Sequence, residues 1–153
     1  SVYGTVTVAA AIDYEAKVSY FGEIIVTDSG VPPLTASIHI GITVNPVNDF
    51  TPTFLNVKDV NVNRFDKPGT PVTTFQVSDL DAGFDGQLEY YLSDPTLPFI
   101  VDMYTGGVYI GIGLDNPSKS FYDLDVVVAD KSKTNVLSSS AKFRVNVVNG
   151  NNN

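Results

Sequence analysis

Apolar residues recur at every second position along much of this chain: Val6 and Val8; Ile24 and Val26; Ile38, Ile40, Ile42 and Val44; Val126 and Val128; Phe143, Val145 and Val147. Alternation of this kind turns one face inward and the other to water, as in an antiparallel sheet. Turn formers separate the runs, at Asp28-Ser29-Gly30, Pro32-Pro33, Pro68-Gly69, Ala82-Gly83 and Thr105-Gly106-Gly107. No segment carries the 3.6-residue period of an amphipathic helix. Many short strands punctuated in this way predict an all-β sandwich or barrel.

The chain also repeats itself. Gly4 matches Gly106, Val6 matches Val108, Ile12 matches Leu114, Asp13 matches Asp115, Tyr20 matches Tyr122, Val26 matches Val128 and Asp28 matches Asp130, always 102 positions apart. Beyond the next loop the spacing reads as 101, setting Val44 against Val145 and Asn48 against Asn149. A period of about 100 residues is one domain per repeat in a tandem array. If Gly106 to Val147 is the second half of a repeat, Gly4 to Val44 is a second half too. Three strands alone would expose edges and one apolar face. The completing strands are therefore expected either from another polypeptide or from a longer chain of which this is a trimmed piece, the cut being the simpler expectation. The expected division is residues 1–45 as the later half of one repeat, 46–52 as a linker, 53–148 as a complete repeat and 149–153 as a linker or tail.

Composition changes the picture in three ways. Of the 153 residues 43% are hydrophobic, enough for a core, and none is cysteine, so disulfides play no part. No apolar run approaches the roughly 18 residues that a membrane span needs, and no leader-like segment opens the chain, so a secretory signal or anchor is expected outside it. The formal charge of −8 argues against nucleic acid, which calls for clustered Lys and Arg. Acidic surfaces suit hard cations if the carboxylates converge.

Several segments together resemble one family. Ile12-Asp13-Tyr14-Glu15 resembles the Leu-Asp-Arg-Glu motif of cadherin repeats, and Val26-Thr27-Asp28-Ser29-Gly30 the Ala-x-Asp-x-Gly stretch that follows it. Pro46-Val47-Asn48-Asp49-Phe50-Thr51-Pro52-Thr53-Phe54 resembles the inter-repeat linker Asp-x-Asn-Asp-Asn-x-Pro-x-Phe. Asp79-Leu80-Asp81 looks like the Asp-x-Asp motif of the next repeat, and Asp85-Gly86 like its Asn-Gly. The resemblance implies tandem Greek-key, immunoglobulin-like β-sandwiches belonging to the ectodomain of a cell-surface protein.

Calcium takes six to eight oxygen ligands in a flexible shell, so several segments must contribute. Asp13 and Glu15, and likewise Asp79 and Asp81, are two apart and would share a side of an extended stretch. A sandwich gathers its loops at its ends, where Asp13, Glu15, Asp49, Asp79, Asp81 and Asp130 are expected to converge. Carried over position by position, the resemblance implies three Ca2+ ions. Asp13, Glu15 and Asp49 would hold a pair, helped by the Val47 carbonyl and sharing Asp81. Asn48, Asp79, Asp81 and Asp130, with the carbonyls of Phe50 and Asp85, would hold the third. Pro46 and Phe50 depart from the linker pattern, and the Glu that the family keeps early in the preceding repeat has no counterpart here, which puts one or two of the sites in doubt.

The far end of the second repeat has lost its acids. Leu114-Asp115-Asn116-Pro117 lacks the Glu, Asn61-Val62-Asn63-Arg64 lacks another before Pro-Gly-Thr, and Val147 to Asn151 lacks the linker acids. A junction after residue 150 is expected to bind calcium poorly or not at all.

Nothing suggests an enzyme. His39, the sole histidine, falls on the outward face of an alternating strand, with no Ser or Cys partner in a catalytic pattern. Tyr90, Tyr91, Tyr104, Tyr109 and Tyr122 suit the margins of a core better than a contact patch. There is no tryptophan for strand exchange and no Asn-x-Ser/Thr glycan acceptor. The expected role is calcium-dependent cell–cell adhesion through other cadherin molecules, homophilic or heterophilic. The alternatives are a spacer with a calcium-free joint, or an accessory domain that binds carbohydrate.

Overall fold

Two strands dominate the first part of the chain. Ser19–Thr27 (β1) and Thr35–Thr43 (β2) pair antiparallel, from Ser19 opposite Thr43 to Thr27 opposite Thr35. The computed structural model describes residues 3–150 and resolves into two units, Ser1–Val47 and Asn48–Asn153.

The second unit is built from Thr53–Phe54 (β3), Val60–Asn63 (β4), Pro71–Thr74 (β5), Val77–Ser78 (β6), Leu88–Leu92 (β7), Phe99–Val101 (β8), Gly107–Ile110 (β9), Phe121–Asp130 (β10) and Ser138–Val148 (β11). One sheet runs β4-β11-β10-β7 and another β5-β9-β8, while β3 pairs with β6. All these pairs are antiparallel except β4 with β11, which lie parallel from Val60–Val145 to Asn63–Val148. The fold is a β-sandwich.

Its core follows from the alternation. Along β10, Leu124, Val126 and Val128 are buried while the residues between them are only partly covered. Phe143, Val145 and Val147 lie beside them on β11 in the same sheet, and Phe99, Val108 and Ile110 close the core from the β5-β9-β8 sheet. Each such side chain contributes about 1.5–3 kcal/mol of burial. Phe54, Phe75 and Phe143 meet edge to face with ring centroids 5.3 Å apart. The turn into β9 needs Gly106, which has φ 68° and lies so close to the Tyr90 ring that a Cβ would come within 2.9 Å of it.

The structure corrects two sequence expectations about the first unit. Val6 and Val8 alternate as a strand would, yet no strand forms among residues 3–18. Their counterparts in β9 are flanked by β5 and β8, and shifted back by 102 positions both flanking strands would fall before residue 1. Without a partner, the alternating pattern has nothing to bond to. The second correction concerns register. Tyr20 pairs with Ile42, and its counterpart Tyr122 pairs with Val145, so beyond the loop the offset is 103, not 101. The β10–β11 loop is one residue longer than the β1–β2 loop. Val44 therefore corresponds to Val147, and Asn48 to Asn151.

Burial follows the same contrast. Val26 is 65% exposed where its counterpart Val128 is 0%, and Val8 is 71% exposed where Ile110 is 0%. Val6, Val8, Ile12, Tyr20 and Ile42 line an apolar hollow on the first unit.

Candidate metal centre

The acidic residues of the second unit collect where β6 leads into the Asp79–Gly86 loop and β10 leads into the loop before β11. Asp81 and Asp130 are both buried, at 8% and 4% exposure. Each is held by backbone donors. Asp81 accepts from the Phe50 amide at 3.0 Å through Oδ2 and from the Asp49 amide at 3.4 Å through Oδ1. Asp130 accepts from Ser132 N at 2.9 Å and Leu137 N at 2.9 Å, one on each oxygen. The same Oδ2 of Asp130 accepts the Asn48 side-chain amide at 2.7 Å, and that amide also donates to the Asn135 carbonyl at 2.5 Å.

These bonds turn two oxygens to no partner at all. Asn48 Oδ1 and Asp79 Oδ2 are buried and accept no hydrogen bond. Asp79 spends its other oxygen on the Asp81 amide, 3.0 Å away. A buried acceptor left unmade is costly, and native folds leave few of them. Burial pushes the Asp79 carboxyl above the ordinary range, and the negative charges of Asp81, Asp130 and Asp85 push it the same way, against the opposing Asp81 amide. Water or a proton could relieve one such oxygen. A cation would relieve both and also quiet the repulsion.

The Asp85-Gly86 turn is pressed against this loop: a Cβ at Gly86 would collide with the Asp81 carbonyl. Gly83 takes φ 67° in the same loop. Only glycines permit that approach and that conformation without strain.

Asp13, Glu15 and Val47 belong to the first unit and are exposed, as is the side chain of Asp49. The expectation that Asp13 and Glu15 share a face of an extended stretch is wrong. Asp13 opens a turn, its Oδ1 accepting from Glu15 N at 2.9 Å and Ala16 N at 3.2 Å, and its carbonyl from Lys17 N. A short polar side chain followed by free amides favours that turn over extension. The Asp79–Asp81 pair is likewise tied by a side-chain-to-amide bond rather than by simple strand alternation. Among the described residues, no three acidic, imidazole or thiol side chains close on one point. Asn48, Asp79, Asp81, Asp85 and Asp130 nonetheless form one neighbourhood of oxygen donors, without nitrogen or sulfur ligands, which suits a hard cation.

Sequence reasoning missed the backbone groups that fix this neighbourhood. Nothing marks Leu137 N or the Asn135 carbonyl in advance, since every residue carries such groups. His39 falls as expected, exposed and opposite Glu23, whereas the tyrosines divide. Tyr90 is in the core, Tyr109 and Tyr122 are half-buried, and Tyr91 and Tyr104 are exposed.

The model of the cadherin domain matches residues 62–148, more than half of the chain. The chain belongs to the cadherin family. Among curated relatives, human Protocadherin-1 is 34% identical over 146 residues, covering 93% of this chain and 14% of that protein. The Drosophila melanogaster Fat-like cadherin-related tumor suppressor homolog is 28% identical over 156 residues, covering all of this chain and 3% of its own length. The cadherin chain thus spans a small part of these relatives. Among solved structures, mouse clustered PcdhgC3 EC1-3 superposes with a TM-score of 0.82 at 28% identity, over 92% of this chain and 46% of that one. Mouse Cadherin-23 EC22-24 gives 0.79 at 28% identity, over 94% and 46%. The relatives are cadherins, not enzymes.

Proposed function

We propose that this cadherin segment binds calcium and serves calcium-dependent cell–cell adhesion as part of the ectodomain of a membrane-anchored cell-surface protein, meeting other cadherin molecules. The supporting observation is the pair of buried, partnerless oxygens, Asn48 Oδ1 and Asp79 Oδ2, beside Asp81 and Asp130. These four side chains, with the carbonyls of Phe50 and Asp85, are the proposed ligands of one ion. A bound Ca2+ would supply two positive charges and accept oxygen ligands without a fixed geometry.

The chain's own residues do the rest. Asp130 orients the Asn48 amide so that its nitrogen is engaged and its oxygen is free. Asp81 draws the Asp49 and Phe50 backbone onto the same loop, coupling the linker to β6. Gly86 lets the Asp85 turn approach. The ions assigned to Asp13, Glu15, Asp49 and Val47 rest on the family resemblance.

Thermal unfolding of the chain in millimolar calcium and then in chelator tests this. At 100 times its Kd a ligand bound only by the folded state stabilises by about 2.7 kcal/mol. For a domain of this size that is a rise in Tm of roughly 10–20 °C. Asp81→Ala is expected to abolish the rise. An equal Tm with and without calcium in the unaltered chain would sink the proposal.

A further inference from the structure

The opposite end of the second unit carries a different arrangement, centred on Arg64. This residue follows β4, and its backbone amide donates to the Val148 carbonyl at 2.9 Å. The guanidinium reaches the Leu114–Lys119 loop and the exit of β11. Nη1 donates to Asn116 O at 2.5 Å and Leu114 O at 3.3 Å, Nη2 to Lys119 O at 3.0 Å, and Nε to Asn149 Oδ1 at 2.8 Å. The turn beneath it is fixed by Asn63 and Asp66: Asp66 Oδ2 accepts from Asn63 N at 2.8 Å, and Asn63 Oδ1 from Phe65 N at 3.0 Å.

Every acceptor of the guanidinium is a neutral oxygen. The repeat register accounts for the difference between the two ends. Asp13 corresponds to Asp115, but Glu15 corresponds to Pro117, and Asn48 and Asp49 correspond to Asn151 and Asn152. Asp115 is the sole acid between Gly113 and Lys119. A divalent cation would have to evict a guanidinium that cannot lose its proton, and would find in return only Asp115 and Asp66, the latter already bonded to the Asn63 amide.

We propose that Arg64 is the resident cation of this end, tying β4, the Leu114–Lys119 loop and the exit of β11 into one body without metal. Its planar fork meets several fixed carbonyls at once, which a lysine ammonium on a flexible stem does not. The proposal is independent of calcium at the Asn48–Asp130 end.

The test is 15N NMR of the whole chain in chelator and in millimolar calcium, with Arg64→Ala and Arg64→Lys beside it. In the unaltered chain the Arg64 Nε–H should exchange about tenfold or more slowly than a free side chain. Resonances of residues 63–66, 114–119 and 148–150 should not move with calcium. Both variants should lose protection at the Lys119 and Val147 amides by about tenfold, with a fall in Tm of about 10 °C that calcium does not reverse. Fast Nε–H exchange or calcium-dependent shifts at these residues in the unaltered chain would overturn the proposal, even if Arg64→Ala failed to fold. So would full protection in Arg64→Lys. Silence of Asn48 and Asp79 on adding calcium would defeat the calcium proposal and leave this one standing.

Discussion

Replacing Asp130 by alanine isolates what one carboxylate does for the fold when no metal is present. Asp130 accepts from two backbone amides and one side-chain amide, and it is 4% exposed. A hydrogen bond to a charged group contributes about 1.5–3 kcal/mol net, and a buried donor left unmade costs about 1–3 kcal/mol. Ser132 is buried and Leu137 half-buried, so the two backbone donors together put the loss at about 3–5 kcal/mol. Asn48 keeps its bond to the Asn135 carbonyl and adds little. One effect runs the other way, because removing this charge relieves repulsion on Asp79. Partial exposure of that group limits the relief to about 1 kcal/mol. The expected net loss is thus about 2–4 kcal/mol. Urea unfolding in chelator, read at the midpoint with m unchanged, measures it. Asp130→Asn keeps one acceptor oxygen and should fall between. If the chain with alanine at this position unfolds within about 1 kcal/mol of the original, the two amides do not depend on the carboxylate, since an open, water-satisfied loop is the only way to escape the loss.

Two further outcomes are expected. Ile110→Ala, at a fully buried position of β9, should cost about 2–5 kcal/mol by urea unfolding, while the same change at 71%-exposed Val8 should be near neutral. Asp102 accepts from the Thr105 and Tyr104 amides, which hold its carboxyl below the ordinary range. A lowered folded-state pKa means stability that is present above the unfolded value and lost as pH falls through the folded one. Asp102→Asn should therefore flatten the acid limb of the unfolding midpoint below the ordinary Asp value of about 3.9, and an unchanged limb would dismiss the assignment.

How much of this was legible depended on length and on partners. The long strands β10 and β11 and the β1–β2 pair announced themselves, because alternation sustained over nine or more residues fits neither a helix nor a loop. Strands of two residues, β3 and β6, cannot show a period at all. Val6 and Val8 showed the pattern but form no strand, since a sequence period reports which face would be buried and not whether a neighbour exists. The acidic positions were readable as motifs, whereas the turn at Asp13 and the bonds around Asp130 depend on backbone amides that no residue type advertises. Arg64 was visible only as a missing glutamate; its role emerges from four acceptors drawn from distant segments.

The loops that follow Asp28 and Asp130 differ in length by one residue, and in both the aspartate amide bonds the carbonyl of the leucine that precedes the next strand. In the shorter loop a single oxygen of Asp28 takes both the Gly30 and Leu34 amides. In the longer one the two amides are divided between the two oxygens of Asp130. A carboxylate can therefore absorb an insertion by changing which oxygen serves which donor, and the hairpin stays in register. The two repeats of this chain differ by one residue here while both keep the aspartate and the leucine. Alignments between them are better anchored on that pair than on the number of residues separating it.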